Sequence, residues 1–441
     1  MNITRRSMID LLARGGLAAG GCALFSRAAL LEALAADAED PDPFQVSTVD
    51  YPVEPGRKLS RLGFGMMRLP VKEDKSIDEE AVFAMVDYAL DHGVNYFDTA
   101  YPYHDGLSEI VAGKALSRHP RDSYYLADKY PGHQIADTYD PAEIFEEQLQ
   151  KCGVDYFDFY LLHNINENSL PVYMDPKWGI VDYFVEQRKK GRIKHLGFSC
   201  HIQPENLKTF LDYCGSEMEF CQMQLNYLDW TLQSGKEKYE MLTAAGIPVW
   251  VMEPVRGGKL AQLPDSAEAK LHALRPDEST AAWAFRFLQA LPNVKMVLSG
   301  MSNMAQMIDN IHTYEAEKPL SEEEYAALME IAEELKDAVP CTACRYCCAG
   351  CPVGLDIPTL IQFYNNARVQ KSITVSIQMS GYSADKWPDA CVGCGQCAHA
   401  CPQKIDVPKV MTDFAELMKT MPDWEAICVE RAEAAARLRK K

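Results

Sequence analysis

DEEAVFAMVDYALDHGVNYFDTA (residues 78–100) joins two kinds of segment. Residues 78–93 carry apolar side chains at helical spacing and stop at a glycine, which predicts a helix with one buried face. NYFDTA (95–100) is a short apolar run, which predicts a buried strand. The unit recurs along the chain. Further strand candidates are LGFGMMRL (62–69), SYYLADK (123–129), DFYLLH (158–163), HLGFSC (195–200), FCQMQLNY (220–227), PVWVMEP (248–254) and VKMVLSG (294–300). Eight such runs alternating with helical patterns between residues 59 and 314 predict an α/β fold of the (β/α)8 TIM-barrel type. A doubly wound sheet would show G-x-G-x-x-G after its first strand, and LGFGMMR lacks it.

Polar residues interrupt the strands at their C-terminal ends. Asp98 closes the second, Lys129 the third and His163 the fourth, and Tyr103 follows Asp98 in the next loop. In a barrel these ends converge on one face, where active sites are built. Each residue alone has an ordinary reading as a cap or packed side chain. Four of them in order on consecutive strands point to catalysis.

Near the C-terminus one cysteine pattern occurs twice. Cys341, Cys344, Cys347 and Cys351 precede Pro352, and Cys391, Cys394, Cys397 and Cys401 precede Pro402. Both read C-x2-C-x2-C-x3-C-P, the run that holds cubane iron–sulfur clusters in bacterial ferredoxins. The flanks repeat as well, CPVGLDIP against CPQKIDVP. Zinc sites usually use separated CxxC pairs, often with histidine. Cysteines at i, i+3 and i+6 are badly placed for disulfides with one another. The pattern therefore predicts two 4Fe-4S clusters. TLIQFYNNARVQKS (359–372) and VPKVMTDFAELMKT (407–420) look helical, so the expected cluster unit, 341–425, is a small, mostly α-helical ferredoxin-type domain. In two-cluster ferredoxins the fourth cysteine of each run serves the other cluster. Cys341, Cys344, Cys347 and Cys401 are expected around one cluster; Cys391, Cys394, Cys397 and Cys351 are expected around the other.

FDTAYPYHDGLSE (97–109), LADKY (126–130) and YLLHN (160–164) resemble the Asp–Tyr, Lys and His segments of the aldo-keto reductase family. GFS (197–199), Gln224 to Tyr227 and VLSGMSNMAQMIDN (297–310) resemble its cofactor segments. Residues 57–314 carry the likeness. With the cysteine runs, the whole resembles bacterial aldo-keto reductases that end in a ferredoxin-type domain. The resemblance implies an NAD(P)-linked oxidoreductase that interconverts a small-molecule carbonyl and an alcohol. Tyr103 would be the general acid, Lys129 would ease its ionisation, Asp98 would hold Lys129 and His163 would orient the carbonyl. It further implies that Ser199 and Gln224 bind the nicotinamide carboxamide. Pro254, Gly257, Gly258 and Leu260, with Gly300, Ser302, Gln306 and Asn310, would hold the pyrophosphate and adenosine end of NADPH or NADH. Two positions depart from the pattern. Met252 stands where relatives place a stacking tyrosine, and Gln306 where relatives that prefer NADPH carry arginine.

The 441 residues carry a formal charge of −19. Segments 1–36 and 341–441 each sum to +2, which leaves −23 on 37–340, an acidic surface that argues against nucleic acid and anionic membranes. Residues 1–36 read as an export signal: Thr4-Arg5-Arg6-Ser7-Met8-Ile9 resembles a twin-arginine motif, and Ala33-Leu34-Ala35 offers a cleavage site. Cys22 is a candidate lipidation site. The expectation is a periplasmic enzyme, with a cytoplasmic one as the alternative. Residues 315–340 read as a charged helical linker. Loop 164–179 is a candidate pocket lining through Tyr173 and Trp178, or an ordinary packed loop. The cubanes accept single electrons whereas a nicotinamide delivers a pair, and no flavin fingerprint is present to split it. A second reading follows, an electron-transfer protein whose barrel docks a redox partner.

Overall fold

The computed structural model describes residues 45–49, 51, 56–336, 339, 341, 343–371 and 373–439. The twin-arginine-like motif, the A-x-A site and Cys22 lie outside them. A two-stranded hairpin, β1 (Thr48–Val49) and β2 (Leu59–Ser60), comes first. Eight parallel strands follow: β3 (Leu62–Gly65), β4 (Tyr96–Asp98), β5 (Tyr125–Tyr130), β6 (Phe157–Ile165), β7 (Ile193–Cys200), β8 (Cys221–Gln224), β9 (Val249–Met252) and β10 (Val294–Ser299). They close in sequence order, with β10 returning to β3 through Val297 opposite Leu62.

Every strand candidate contains an observed strand, so the barrel is the fold that the sequence pattern predicts. The differences lie at the ends. The first candidate leaves the sheet after Gly65 and becomes a 3-10 turn, Met66–Arg68, whose Met66 is still core. The sixth ends at Gln224 because the Asn226 side chain accepts the N–H groups of Leu228 and Asp229 and turns the chain. Hairpin β1–β2 was too short to read from pattern. Its neighbour Tyr51 packs edge-on to Trp250 at 4.9 Å, among the aromatic residues Tyr96, Phe159 and Phe220 that fill the barrel interior. Gly197 is required there, since a Cβ on it would stand 2.6 Å from Phe220.

Local chemistry sets the helices. In Glu79–Asp91, Asp78 accepts the Ala81 N–H at 3.3 Å. Pro141–Cys152 is capped by Asp140, begins with proline and ends at Gly153 with φ +65°. After the barrel, helix Glu322–Lys336 buries Leu328 and Ile331 in the barrel's own core.

The cluster region is a second core built from a repeat. Short helices Tyr346–Ala349 and Gln396–Ala400 pack together, as do the longer helices Ile357–Val369 and Val407–Met418. Left-handed backbone recurs at equivalent places: Ala343 and Gly393, Arg345 and Gly395, Gly354 and Lys404. The duplication in the cysteine runs is thus a duplication of backbone path. This region is tied to the barrel by the buried Arg256, whose guanidinium bonds both Asp229 and Asn366. The chain then returns: helix Trp424–Arg439 packs on the turn that carries Tyr103, and Arg439 pairs with Glu143 at 2.8 Å and Glu147 at 2.7 Å. Among the described residues no helix is long and apolar enough to cross a membrane.

Candidate active site and cluster cavities

Asp98 ends β4, Lys129 lies one residue before the end of β5, and His163 lies near the end of β6. Tyr103 opens the turn Tyr103–Gly106. The four come together at the barrel mouth. Lys129 Nζ donates to Asp98 Oδ1 at 2.5 Å and to the Thr99 carbonyl at 2.7 Å. The same Nζ stands 5.1 Å from the Tyr103 ring centre, and the Tyr103 and His163 rings meet edge-on at 5.8 Å.

The electrostatics follow from burial. Burial alone would lower the Lys129 pKa, but the Asp98 carboxylate outweighs it and holds the ammonium charged. Burial raises the Tyr103 pKa, and Lys129 opposes that rise. Burial, then His133 and Lys129, drives the His163 pKa well below its usual value, so its imidazole is neutral. Tyr173, the candidate pocket aromatic, is instead a buttress: its hydroxyl donates to the carbonyl oxygens of His163 at 2.7 Å and Tyr130 at 3.0 Å. Trp178 packs on Tyr139.

A cavity of about 410 Å³ opens over this group. Asp98, Tyr103 and His163 line it, with Gln224, Met252 and Gly300 from the expected cofactor segments. The other predicted contacts do not line it. Ser199 is buried, its hydroxyl accepting the Asn164 N–H at 2.8 Å, and Asn310 donates to Ser299 Oγ at 2.9 Å. Pro254 and Leu260 are buried, whereas Gly257 and Gly258 are exposed and left-handed at φ +62° and +92°. Ser302 and Gln306 sit at the exposed start of helix Met304–Glu315, where Gln306 Oε1 accepts the Ser302 N–H at 2.8 Å. Arg68 crosses between these segments, pairing with Glu253 at 2.9 Å and lying 3.2 Å from where a Cβ on Gly300 would be. Gln224 donates its amide N–H to Asp229 Oδ2 at 2.8 Å, which leaves its side-chain oxygen to accept from a nicotinamide carboxamide, and exposed Gly258, with no atom near its missing Cβ, leaves room for a pyrophosphate outside the cavity.

Sequence reasoning missed much of the remaining wall. His133 and His201 line the cavity, and Gln370, Lys371, Ile373, Thr374 and Ile377 of the cluster region and Trp424 and Arg431 of the last helix close it. The Trp424 indole stacks on His133 at 5.8 Å, and His133 meets His163 at 4.4 Å. Burial pushes His133 down to about 3 and His201 to about 4. Both lie below the unfolded value of 6.5, so the unfolded chain binds more protons and stability falls as pH drops from 6.5 toward 4. Each histidine is expected to cost about 2 kcal/mol at pH 5. Denaturant melts at pH 7 and pH 5 check this, and equal stability at both would contradict neutral burial.

Two smaller cavities lie in the cluster region. One is lined by Cys341, Cys344, Cys347 and Cys401, the other by Cys351, Cys391, Cys394 and Cys397. Each set takes three cysteines from one run and the last from the other, the crossed arrangement expected of a duplicated site. Among the described residues no three such side chains converge tightly enough for a single ion. Four cysteines lining one cavity are the donor set that holds a cubane iron–sulfur cluster. The Leu355 N–H points at Cys351 Sγ at 3.4 Å, a donor suited to a bound thiolate. Burial, then neighbouring Cys348, pushes the Cys347 thiol up to about 12, so it ionises only against bound positive charge. Cys351→Ala is expected to deplete iron held by the second run and spare that held by the first. Iron content and electron paramagnetic resonance check this, and loss confined to the first cluster would refute the crossing.

Residues 61–333 match the Aldo/keto reductase family, and residues 340–405 match the 4Fe-4S dicluster domain. The chain belongs to the aldo/keto reductase family and is an oxidoreductase that carries a 4Fe-4S domain. It is 26% identical over 307 residues to the uncharacterized oxidoreductase YqkF of Bacillus subtilis, covering 61% of this chain and 92% of that one. It is 26% identical over 221 residues to the NADH-specific methylglyoxal reductase of Escherichia coli, covering 46% of this chain and 65% of that one. The solved structure of aldo-keto reductase AKR11C1 from Bacillus halodurans, holo form, superposes with a TM-score of 0.52 at 27% identity, covering 65% of this chain and 96% of that one.

Proposed function

We propose that the protein is an NAD(P)H-linked carbonyl reductase with Tyr103 as general acid and two 4Fe-4S clusters. The buried Asp98–Lys129 pair under Tyr103, at the mouth of one cavity with His163, is the observation that carries this reading. A reduced nicotinamide bound in that cavity would supply a hydride to the carbonyl carbon. The chain's residues manage the charge that grows on the carbonyl oxygen. The neutral His163 imidazole donates a hydrogen bond to that oxygen and fixes the face presented. Tyr103 gives up its proton, and the Lys129 ammonium stabilises the phenolate left behind. Asp98 keeps Lys129 charged and aimed. The methylglyoxal reductase from E. coli is named as NADH-specific, and Gln306 here supplies no charge for a 2′-phosphate, so both nucleotides belong in the test.

Titration of the anaerobic, cluster-loaded protein with NADH and NADPH, followed near 400 nm, tests the reading. Saturable binding of either supports it. Binding of neither favours the electron-transfer alternative. Binding that leaves the clusters oxidised makes them bystanders to the hydride step.

A further inference from the structure

We propose that Arg431 is a specificity residue that binds the carboxylate of an anionic carbonyl substrate, so that the enzyme acts on oxo acids or aldehyde acids. This deepens the reductase reading and rests on it.

The cavity wall is cationic in an acidic protein. It presents Arg68, Arg256, Lys371 and Arg431 against only Asp98 and Glu253, although the chain carries −19 overall. Most of that charge is already committed. Asp98 pairs with Lys129, Glu253 with Arg68, and Arg256 with Asp229. Arg431 differs. It makes no hydrogen bond or ion pair with any described residue, and its guanidinium lies 5.5 Å from the Trp424 ring centre. Asp105 is near enough to be felt but forms no ion pair with it. The Arg431 side chain is half-buried at the cavity wall, and a partly desolvated guanidinium with no protein acceptor gains from a bound anion. Its planar fork of N–H donors matches a carboxylate.

Position separates this group from the nucleotide. Arg431 arrives on helix Trp424–Arg439, which packs on the turn Tyr103–Gly106, whereas the glycine loop expected to hold pyrophosphate follows β9. Arg431 is also close enough to Tyr103 for its charge to act on the phenol. A substrate with its carbonyl at Tyr103 and a carboxylate on the same small skeleton therefore spans the two. The indole of Trp424, stacked on His133, offers that skeleton an apolar wall.

The test uses full-length, cluster-loaded protein and two matched pairs of probes. Succinic semialdehyde is set against its methyl ester, and 4-carboxybenzaldehyde against methyl 4-formylbenzoate. The wild type is expected to favour the acids in kcat/KM. Arg431→Met is expected to lower the acid-to-ester ratio by roughly 10- to 150-fold, the range for a lost charged hydrogen bond. Arg431→Lys, which keeps the charge but not the fork, is expected to fall between. It carries the test alone if the methionine variant does not accumulate with normal cluster absorbance. A ratio unchanged by either variant overturns the proposal. If no probe is reduced at all, benzoate binding is measured by calorimetry. Benzoate that binds the wild type and loses about tenfold or more in Arg431→Met upholds the carboxylate site while the reductase reading falls. Benzoate that binds both proteins equally, or neither, overturns the site as well.

Discussion

Tyr103→Phe is expected to lower the rate of aldehyde reduction by about 10²–10⁴-fold, or about 3–5 kcal/mol of transition-state stabilisation. The substitution removes one hydroxyl and leaves the ring, so the edge-on contact with His163 at 5.8 Å and the packing of the turn persist. Nicotinamide binding is expected to survive, because the wall proposed to hold it, Gln224, Met252 and Gly300, comes from β8, β9 and the loop after β10. The loss should appear in kcat as well as kcat/KM, since the proton is needed only as charge develops on oxygen. Single-turnover rates and nucleotide titration of the same preparation separate the two effects. Near-normal turnover would remove Tyr103 from the acid role.

Lys129→Met is expected to cost about 3–5 kcal/mol of folding stability, besides its effect on rate. Lys129 is 1% exposed and Asp98 3%, so removing the ammonium leaves a carboxylate in the barrel with neither water nor counter-charge. Burial already raises the Asp98 pKa, with Lys129 as the main opposing influence. Without Lys129 that pKa rises further, and the folded variant binds more protons than its unfolded chain. The deficit relative to wild type should therefore shrink at acid pH and grow as pH rises. Combining Asp98→Asn with Lys129→Met removes the buried charge and is expected to recover much of the stability without restoring activity. Denaturant melts of the three proteins at two pH values check this; a single-variant loss under about 1 kcal/mol would mean that the pair is solvated in solution.

The barrel was legible because parallel strands buried on both faces are written locally, as apolar runs bounded by helical patterns. β6 shows this best, with all nine residues from Phe157 to Ile165 buried. The tetrad was legible for a related reason. Polar residues at the ends of such runs have one place to go once the strands close. Strand ends were less clear, since Met66 is as apolar as a strand residue while sitting in a turn. The expected nucleotide contacts were only partly reproduced as a wall. Gln224 and Gly300 face the cavity, whereas Ser199 is buried with its hydroxyl already satisfied by Asn164.

The sequence by itself determined the fold class, the four groups at the mouth and the two cysteine runs, because each depends on spacing between near neighbours. The tertiary structure brought together the crossed cysteine sets that the two runs lead one to expect, and it alone decided what covers the active site. Cys351 and Cys401 exchange places through the packing of two helical repeats, a contact between segments fifty residues apart. Arg431 and Trp424 reach the mouth because helix Trp424–Arg439 packs on the Tyr103–Gly106 turn and buries Trp424 and Cys428 against Ile377. No local pattern encodes that return. In its own segment Arg431 is one more charge on a polar helix, and it becomes a candidate ligand only when folding places it, unpaired, beside Tyr103.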